Sequence, residues 1–361
     1  MNTVINRYLI FGFLKTILNM ILIFTALSIL LTLFEEIEFF KNLSVGLFLP
    51  ISLTFLFIPN LVIELMPFII FLSSMWFFVH LKNNKDLLSL KVFGYSNIKI
   101  IFILAATALI FGLFIIFAVN PITSSMIKYY EKTKSQYSKD IDHLVSINKN
   151  GVWIKEFNEN NLRIARGEKI QGDFLLNSTI YILDEEYKIV ERLYSDKIDI
   201  AEKTWKFEEV LIYSLDEKFD KKIVKNYSLE SSFNAEKLNN LFKNLNTVSF
   251  ISLIVEYDDL IDKGYTKKAL NERFNLFISL PLFLFIMVVL SSIFTIGSIN
   301  KSQNLYYIFI SIIVCVIVFY FKDLSIALGQ TNRIPQLLSV WSPILAISLF
   351  CSIGIIQVNE K

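Results

Sequence analysis

The chain has little of what enzymes and disulfide-stabilised proteins depend on. Its two cysteines, Cys315 and Cys351, both lie in apolar segments, so the polar part of the chain needs no disulfide. The two histidines, His80 and His143, are far apart, and no cysteine pair or H-E-x-x-H spacing indicates a metal site. A G-x-x-x-x-G-K-[ST] phosphate loop and a nucleophile elbow are also missing. The sequence therefore predicts neither ATP hydrolysis nor another enzyme activity, and no cofactor.

Charge is also scarce. Only 19% of the 361 residues are charged, and the formal net charge is +2. A nucleic-acid-binding protein would show a strong basic stripe, so that class is excluded. Apolar residues instead make up 54% of the chain, and they are concentrated towards its two ends. This distribution is typical of a membrane protein.

Six apolar segments approach the length of about 20 residues that a helix needs to cross a membrane. Three precede residue 120 and three follow residue 273. The predicted spans are roughly Phe11–Phe34, Asn60–Leu81, Ile100–Val119, Phe274–Ile296, Leu305–Phe321 and Val340–Ile356. No small-residue cleavage site follows the first span, so it is not expected to be a cleaved signal peptide.

The ends of three spans carry specific predictions. Pro59 is placed in the first turn of the second span, after a possible interfacial helix over residues 45–58. Asn120-Pro121 is predicted to close the third span. Lys322-Asp323 is predicted to end the fifth, which leaves residues 327–339 as a loop.

The segment between the third and fourth spans is polar and reads as β-structure. After a helix-like stretch, Ser124–Tyr137, short alternating runs are separated by turn residues, as in a sandwich or roll. These runs are Val152–Ile154, Leu162–Ala165, Thr179–Leu183, Lys197–Ile200, Thr204–Phe207 and Val210–Leu215. Helical periodicity then returns from Thr247 to a stop at Gly264.

The predicted fold is thus an α-helical membrane protein with six transmembrane helices and an all-β domain inserted between helices 3 and 4. The predicted domain bounds are 1–120, 121–246 and 247–361.

Lysine and arginine in the short loops predict the orientation. With the N-terminus inside, the inner segments hold Arg7, Lys15, Lys82, Lys85, Lys91, Lys99, Lys301 and Lys361. The outer loops hold only Lys41, Lys322 and Arg333. Both termini are therefore predicted to be cytoplasmic, and the β domain lies outside the membrane, which in a Gram-negative cell means the periplasm.

The inner loop Lys82–Lys99 contains a short amphipathic pattern that Gly94 can end. One interpretation is a helix that lies on the membrane surface beside inward-facing positive charges. The other is a helix presented to a cytoplasmic partner, with Asp86 as its acidic contact for an arginine or lysine.

Ionisable residues near the predicted spans are a second candidate group, because charges within hydrocarbon often mark a transport pathway. Most stand at span ends, where long side chains reach water at little cost. Glu64 is expected to lie deeper than the others, whereas Lys322 and Asp323 can pair with their neighbours. The whole group is Lys15, Glu35, Glu36, Glu38, Lys41, Glu64, Lys322 and Asp323.

Several short motifs occur in an order that resembles the LptF/LptG (YjgP/YjgQ) permease family of the lipopolysaccharide export ABC transporter. They extend over nearly the whole chain, and the resemblance is closer to LptG, with LptF second. The motifs are Asn6-Arg7-Tyr8, Pro59 to Pro67, Asp86 with Lys91, Gly94 and Ser96, Gly151-Val152-Trp153-Ile154, Ser249 to Gly264, Ile334-Pro335 and Trp341-Ser342-Pro343.

The resemblance implies a non-catalytic inner-membrane permease with a periplasmic jellyroll. Its implied partners are lipopolysaccharide, a cytoplasmic LptB-like ATPase dimer, an LptF-like permease subunit and an LptC-like periplasmic protein. The implied ATPase-coupling residues are Asp86, Leu87, Lys91, Gly94 and Ser96. The implied lipid cavity or gate residues are Glu35, Glu38, Lys41, Glu64 and Lys322.

Two positions depart from the family pattern. The coupling acid is usually glutamate, and here it is Asp86, whose reach is shorter. The outer end of the first helix usually carries lysines, and here it carries Glu35, Glu36 and Glu38 followed by Lys41 alone.

Two other functions stay open from the residues themselves. A periplasmic sensor or assembly scaffold would lack transport activity, but the inner loops are too short to form an output domain. A secondary transporter would place ionisable residues and broken helices near the membrane midplane, and only Glu64 points that way.

Overall fold

A computed structural model describes the chain at residues 2–41, 45–134, 137, 145–148, 151–158, 161–184, 187–214, 221–231, 233–235, 238, 244–262, 265, 267–296, 304–331 and 333–359. The chain divides into two compact units. The first, the helical unit, comprises residues 1–130, 248–254 and 270–361. The second, the sheet unit, comprises residues 131–247 and 255–269.

Long helices dominate the chain, and shorter ones connect them. Their bounds are α1 Asn2–Phe40, α2 Phe48–Glu64, α3 Met66–Asn83, α4 Asp86–Val92, α5 Asn97–Phe114, α6 Asn120–Lys134, α7 Phe250–Val255, α8 Tyr257–Asp262, α9 Lys267–Ile296, α10 Asn304–Gln330 and α11 Gln336–Asn359.

Five helices in the described part of the chain are long and apolar enough to cross a membrane. They lie at Thr3–Phe40, Asn97–Lys134, Lys267–Ile296, Phe309–Gln330 and Gln336–Ile356. Helices α2 and α3 meet at a bend of 64° and together form a sixth candidate. The predicted six-span membrane unit is confirmed when this bent pair counts as one span.

The start of that broken span differs from the prediction. Pro59 lies inside α2, and the helix ends only at Glu64. The bend falls at Leu65, and Pro67 occupies the first turn of α3. A proline fits there because the first helical N–H groups have no partner within the helix. Pro67 therefore opens the second half of the span, and the prediction for Pro59 was wrong.

The third span also continues beyond its predicted end. A π-helical turn, Ile115–Val119, joins α5 to α6, and the Asn120 amide donates to the Ile115 carbonyl. The wider turn shifts the hydrogen-bond ladder by one residue just before Pro121, which has no N–H to donate. Asn120-Pro121 is thus accommodated inside a continuous helical path and does not close it.

The fifth span extends past Lys322-Asp323 to Gln330, and the last helix begins at Gln336, so the connection is shorter than predicted. The Lys322 ammonium lies 5.4 Å from the ring centre of Phe283 and 5.6 Å from that of Phe319. Aromatic faces attract a cation and so make this charge tolerable within an apolar helix.

The helical unit is held together by a continuous apolar core. Its fully buried members include Phe13, Phe71, Leu104, Leu284 and Met287. Helix α5 meets α9 closely at Gly112, where an added Cβ would stand 2.8 Å from Cα of Pro281. The two backbones can approach this closely because Gly112 has no side chain.

The described residues of the sheet unit form eight antiparallel strands. They are β1 Val145–Asn148, β2 Gly151–Asn158, β3 Asn161–Gly167, β4 Lys169–Gln171, β5 Phe174–Leu183, β6 Ile189–Asp199, β7 Thr204–Ser214 and β8 Lys221–Glu230. The order β1-β2-β3-β5-β6-β7-β8 follows the chain, and β4 pairs with β5. The predicted insertion of an all-β domain is confirmed.

The strand predictions need several corrections: β1 and β4 were not predicted, and the run Lys197–Ile200 covers only the end of β6. The runs Thr204–Phe207 and Val210–Leu215 belong to one strand, β7, in which Glu208 and Glu209 are exposed. Strand β8 was not predicted, because Lys221, Lys222 and Lys225 make its sequence polar. Lysines are common on an edge strand, where they oppose pairing with other chains.

Regular pairing is interrupted along a line that crosses four neighbouring strands, β5 to β8. Asn177 of β5 and Asn226 of β8 adopt left-handed backbone conformations, with φ of 46° and 55°. Pairing is interrupted at both positions and also between β6 and β7, where the register resumes at Ile198 and Phe207. Such irregularities bend strands and increase their twist. The bent sheet buries an apolar face that includes Leu175, Leu193, Ile198, Trp205 and Val210.

The segment before the fourth span forms two short helices, α7 and α8, with a bend at Glu256, whereas one helix was predicted. The Phe250 amide at the start of α7 donates to Asn120 Oδ1 at 2.8 Å. The predicted stop at Gly264 lies outside the described residues, as do His143 and Lys301.

Candidate functional site

Helix α4 is the short helix between the second and third spans, and its two ends are defined by backbone geometry. Lys85 before it has a left-handed φ of 63°, and Gly94 after it has φ of 82°. The Gly94 amide donates to the Lys91 carbonyl at 2.9 Å, and the Tyr95 amide donates to the Leu90 carbonyl at 3.0 Å. These two bonds form a Schellman motif, which glycine favours because it adopts positive φ without strain.

One side of α4 packs on the helical unit, and the other is exposed. Leu90 is buried in the main core, and Leu87, three residues earlier, packs against it. Leu88, Val92 and Phe93 are exposed by 66%, 80% and 56%. Leu88 and Val92 lie on α4 and Phe93 directly follows it, and exposed apolar side chains grouped in this way are a candidate interaction site. We call these three residues the α4 patch.

Both ends of α4 are tied to the first turns of α1. The Tyr8 hydroxyl donates to Asp86 Oδ2 at 2.9 Å. The Tyr95 hydroxyl donates to Asn6 Oδ1, also at 2.9 Å. The Tyr95 side chain is buried, and the Lys99 ammonium lies 4.1 Å from the centre of its ring. Helix α1 therefore forms one hydrogen bond to the beginning of α4 and another to the residues just after its end.

The structure brings the five predicted coupling residues together in one turn–helix–turn segment. Asp86 begins α4, Leu87 anchors it and Lys91 lies exposed in its last turn. Ser96 caps α5, since its hydroxyl accepts the Lys99 amide at 3.3 Å. Gly94 makes the reversal between the two helices.

The carboxylates at the acidic end of α1 differ in exposure. Glu35, Glu38 and Lys41 are exposed. Glu36 is buried, and it accepts a hydrogen bond of 2.7 Å from the Tyr130 hydroxyl of α6. No sequence pattern distinguishes Glu36 from its neighbours. Its position facing α6 follows only from how the two helices pack.

A second group of charges surrounds the bend of the broken span. Asn60 Nδ2 donates to Glu64 Oε1 at 2.8 Å, one turn apart on α2. Glu64 lies close enough to Arg273 of α9 and to Lys322 of α10 for its charge to attract both cations. Glu64 and Lys322, both predicted lipid-cavity residues, thus lie within electrostatic range of each other. Arg273 joins them, although the sequence reasoning did not select it.

Glu272, next to Arg273, is buried and links the start of α9 to the end of α10 and the start of α11. Its carboxylate accepts hydrogen bonds from Gln330 Nε2 of α10 at 2.9 Å and Gln336 Nε2 of α11 at 3.2 Å. Trp341 Nε1 adds a bond of 3.0 Å to Asn275 Oδ1. The adjacent charges Glu272-Arg273 at the head of an apolar span are a signal that could have identified this cluster.

Arg273 stands out within this group. The guanidinium lies 4.6 Å from the centre of the Phe277 ring. Its Nε is buried, and no acceptor among the described residues meets it. A buried donor of this kind is expected to have a partner in the functional state, either solvent or a bound group.

Taken together, the chain is a multi-pass membrane protein with a sheet unit inserted between its third and fourth spans. A short helix, α4, lies between the second and third spans. The family model described as Lipopolysaccharide export system permease LptF/LptG matches residues 7–357. The chain belongs to this family and is an inner-membrane permease for lipopolysaccharide export. The match does not separate LptF from LptG, and no curated protein matches the chain.

Proposed function

We propose that this chain is one of two paired permease subunits of an ABC exporter. The pair takes lipopolysaccharide from the outer leaflet of the inner membrane and passes it to a periplasmic bridge of jellyroll folds. A separate LptB-like ATPase dimer supplies the energy, because this chain carries no phosphate loop. An LptF-like paralogue completes the cavity, and an LptC-like protein continues the route.

Helix α4 is the observation that carries this proposal. Leu87 and Leu90 hold it on the helical unit, so the α4 patch faces outwards on a rigid support. Apolar side chains on an anchored helix suit a complementary groove on a partner. Asp86 Oδ2 is occupied by Tyr8, and Oδ1 is the oxygen that a partner's arginine or lysine would meet. Closure of the ATPase dimer would then push on α4.

The orientation belongs to the same proposal. The positive charges on either side of α4 support a cytoplasmic position for this helix, where it would meet an ATPase. Both termini are then cytoplasmic, and the sheet unit lies in the periplasm. The Glu36 end of α1 and the Glu272 cluster face the periplasmic half of the membrane.

Arg273 and Lys322 are the proposed contacts for the lipid phosphates. Glu64 attracts both cations in the structure described here. A phosphate would compete with this carboxylate and supply the acceptor that Arg273 Nε lacks among the described residues. Glu35, Glu38 and Lys41 remain proposed gate residues at the end of α1, where their exposure allows contact with a headgroup.

The sheet unit offers two strand edges for the next step. Its order begins at β1 and ends at β8 among the described strands. An edge strand carries backbone groups that can pair with a strand of another module. We propose that one of these edges continues into the periplasmic bridge.

Reconstitution of the intact complex tests the proposal. The complex is purified through a tag on this chain, its soluble subunits are identified, and it is placed in vesicles containing lipopolysaccharide. We expect an ATPase in the preparation and release of lipopolysaccharide to a periplasmic acceptor only when ATP is added. An active preparation without any ATPase would contradict the proposal.

An ion-coupled secondary transporter is the second candidate, and the broken span favours it. Glu64 lies at a helix break beside two cations, an arrangement also found where ions couple to substrate movement. The same vesicles distinguish the two, because a secondary transporter would respond to an imposed ion gradient without ATP. A sensor or scaffold would release lipid under neither condition.

A further inference from the structure

The first turns of α1 hold α4 by two separate hydrogen bonds, one at each end of the short helix. Tyr8 donates to Asp86 in the first turn of α4. Asn6 accepts a hydrogen bond from Tyr95, which follows the last turn of α4. The partners are 78 and 89 positions apart in the chain, so neither contact is a local consequence of helix formation. With both ends held, α4 cannot tilt or shift without straining at least one of these bonds.

Helix α1 is also well fixed to its neighbours near these two hydrogen bonds. Leu9, Phe13 and Ile17 are buried in the main core. The Phe13 ring lies 5.9 Å from the Phe77 ring of α3. A displacement of the first turns would therefore move the whole cytoplasmic half of α1 as a packed body, since side chains packed at this density transmit displacement.

The length of α1 carries such a displacement across the membrane unit. The helix runs without interruption for 39 residues. At 1.5 Å per residue, Tyr8 and Phe34 are about 39 Å apart along its axis. Its far end is tied to α6 through Glu36 and Tyr130. One rigid element therefore connects the surface proposed for the ATPase with the end proposed to face the lipid.

We propose that Tyr8 is a positioning residue that couples α4 to α1, with Asn6 and Tyr95 as the second half of the coupling. This inference rests on the proposed function. It adds that Asp86 makes two contacts. Oδ1 would bind the ATPase, and Oδ2 accepts from Tyr8 and so links a movement of α4 to α1. Helix α1 then transmits the movement of α4 to the end of α1 that is proposed to face the lipid.

The substitution Tyr8→Phe tests the coupling, because it removes one hydroxyl and leaves the ring in place. In the reconstituted complex, we expect the amount of lipopolysaccharide released per ATP hydrolysed to fall about tenfold, the factor that corresponds to one hydrogen bond to a charged group. Tyr320→Phe makes the same chemical change at a residue that is 68% exposed, and it should leave this ratio unchanged. A merely structural role for Tyr8 would lower release and hydrolysis together, so an unchanged ratio overturns the inference.

A reporter on α1 gives a readout that does not depend on lipid release. Phe34 is 72% exposed, and the native cysteines Cys315 and Cys351 are buried, so within this chain a fluorophore on Phe34→Cys labels the far end of α1. We expect ATP to change its emission in the otherwise native complex and to change it much less when Tyr8→Phe is added. Either no response in the native complex or an equal response in both overturns the inference. A native response without lipid release would instead count against the proposed function.

Discussion

The Tyr130 hydroxyl of α6 donates a hydrogen bond to the buried Glu36 carboxylate of α1 at 2.7 Å, across 94 positions of sequence. The Tyr130 ring also packs against Phe57 of α2, with ring centres 5.1 Å apart. Helices α1 and α6 thus meet at a polar contact, and α2 packs beside it. Burying a carboxylate is costly unless donors compensate for the lost water, so this contact matters to stability.

Replacing Tyr130 by phenylalanine should destabilise the helical unit. Glu36 would lose a donor while staying buried, at a cost of about 1–3 kcal/mol. The midpoint of thermal unfolding in detergent, followed by tryptophan fluorescence, measures the loss. Tyr320→Phe is the matched control, and equal midpoints for the two variants would show that the bond contributes nothing.

Gly112→Ala and Gly12→Ala should differ in stability although both add one methyl group. At Gly112 the new Cβ would meet Cα of Pro281 at 2.8 Å, and backbone cannot move aside easily, so we expect a cost of about 1–3 kcal/mol. At Gly12 the nearest atom is Cε2 of the Phe77 ring at 2.9 Å. The obstacle there is a buried side-chain ring and not backbone, so we expect a smaller cost, and alanine adds about 1 kcal/mol of helix propensity. Unfolding midpoints that fall equally would contradict this account.

The α4 patch should be needed for partner binding and not for folding. Val92→Asp places a charge on the exposed side of α4, so we expect the ATPase to be lost from the purified complex while the unfolding midpoint stays near that of the native chain. Leu90→Ala removes a buried side chain and should cost about 2–5 kcal/mol of stability. Retention of the ATPase by Val92→Asp would exclude the patch as the docking surface.

Two substitutions at Asp86 separate its charge from its hydrogen bond. Asp86→Asn keeps an oxygen that can accept from Tyr8 and removes the charge, so we expect a partial loss of export. Asp86→Lys reverses the charge and should abolish export while the complex still reaches the membrane. Complementation of a depletion strain, with membrane fractionation as control, measures both. Normal growth with Asp86→Lys would contradict a coupling role.

Lys322→Gln should weaken lipopolysaccharide binding about tenfold, as expected for the loss of one charge-assisted hydrogen bond. Binding to the purified complex is measured at low and high salt, and the variant should also show less salt dependence. Arg333→Gln is the matched control, because Arg333 is an exposed cation between α10 and α11. If both variants lose the same affinity, the effect is one of overall charge, and the cluster around Glu64 is not the site.

Much of the fold could be predicted from local patterns. Runs of leucine, isoleucine and phenylalanine identify the membrane segments, because their length and apolarity are properties of consecutive residues. Turn pairs such as Asn150-Gly151 mark the β insertion in the same way. The predictions that were wrong concern positions where packing overrides a local signal. Pro59 and Asn120-Pro121 looked like helix ends, yet neighbouring turns and a π-helical turn accommodate them.

The candidate site could be predicted only in part. Asp86, Gly94 and Ser96 were found because a helix start, a reversal and a cap are local features. Tyr8 was noted only as part of a motif, and Arg273 and Glu272 were not selected, since the roles of all three depend on partners in other helices. No periodicity within α1 shows that Tyr8 meets Asp86.

The sequence by itself determined that this chain enters a membrane, which residues can cross it, and that a β domain interrupts the helices. Hydrophobicity and residue periodicity are enough for these conclusions, because they act over a few turns of chain. Only the tertiary structure decided that Glu36 is buried while Glu35 and Glu38 are exposed, that Glu64 lies within electrostatic range of Arg273 and Lys322, and that α1 contacts both ends of α4. These relationships arise when distant helices pack against one another, and their geometry is set by all the side chains at the contact.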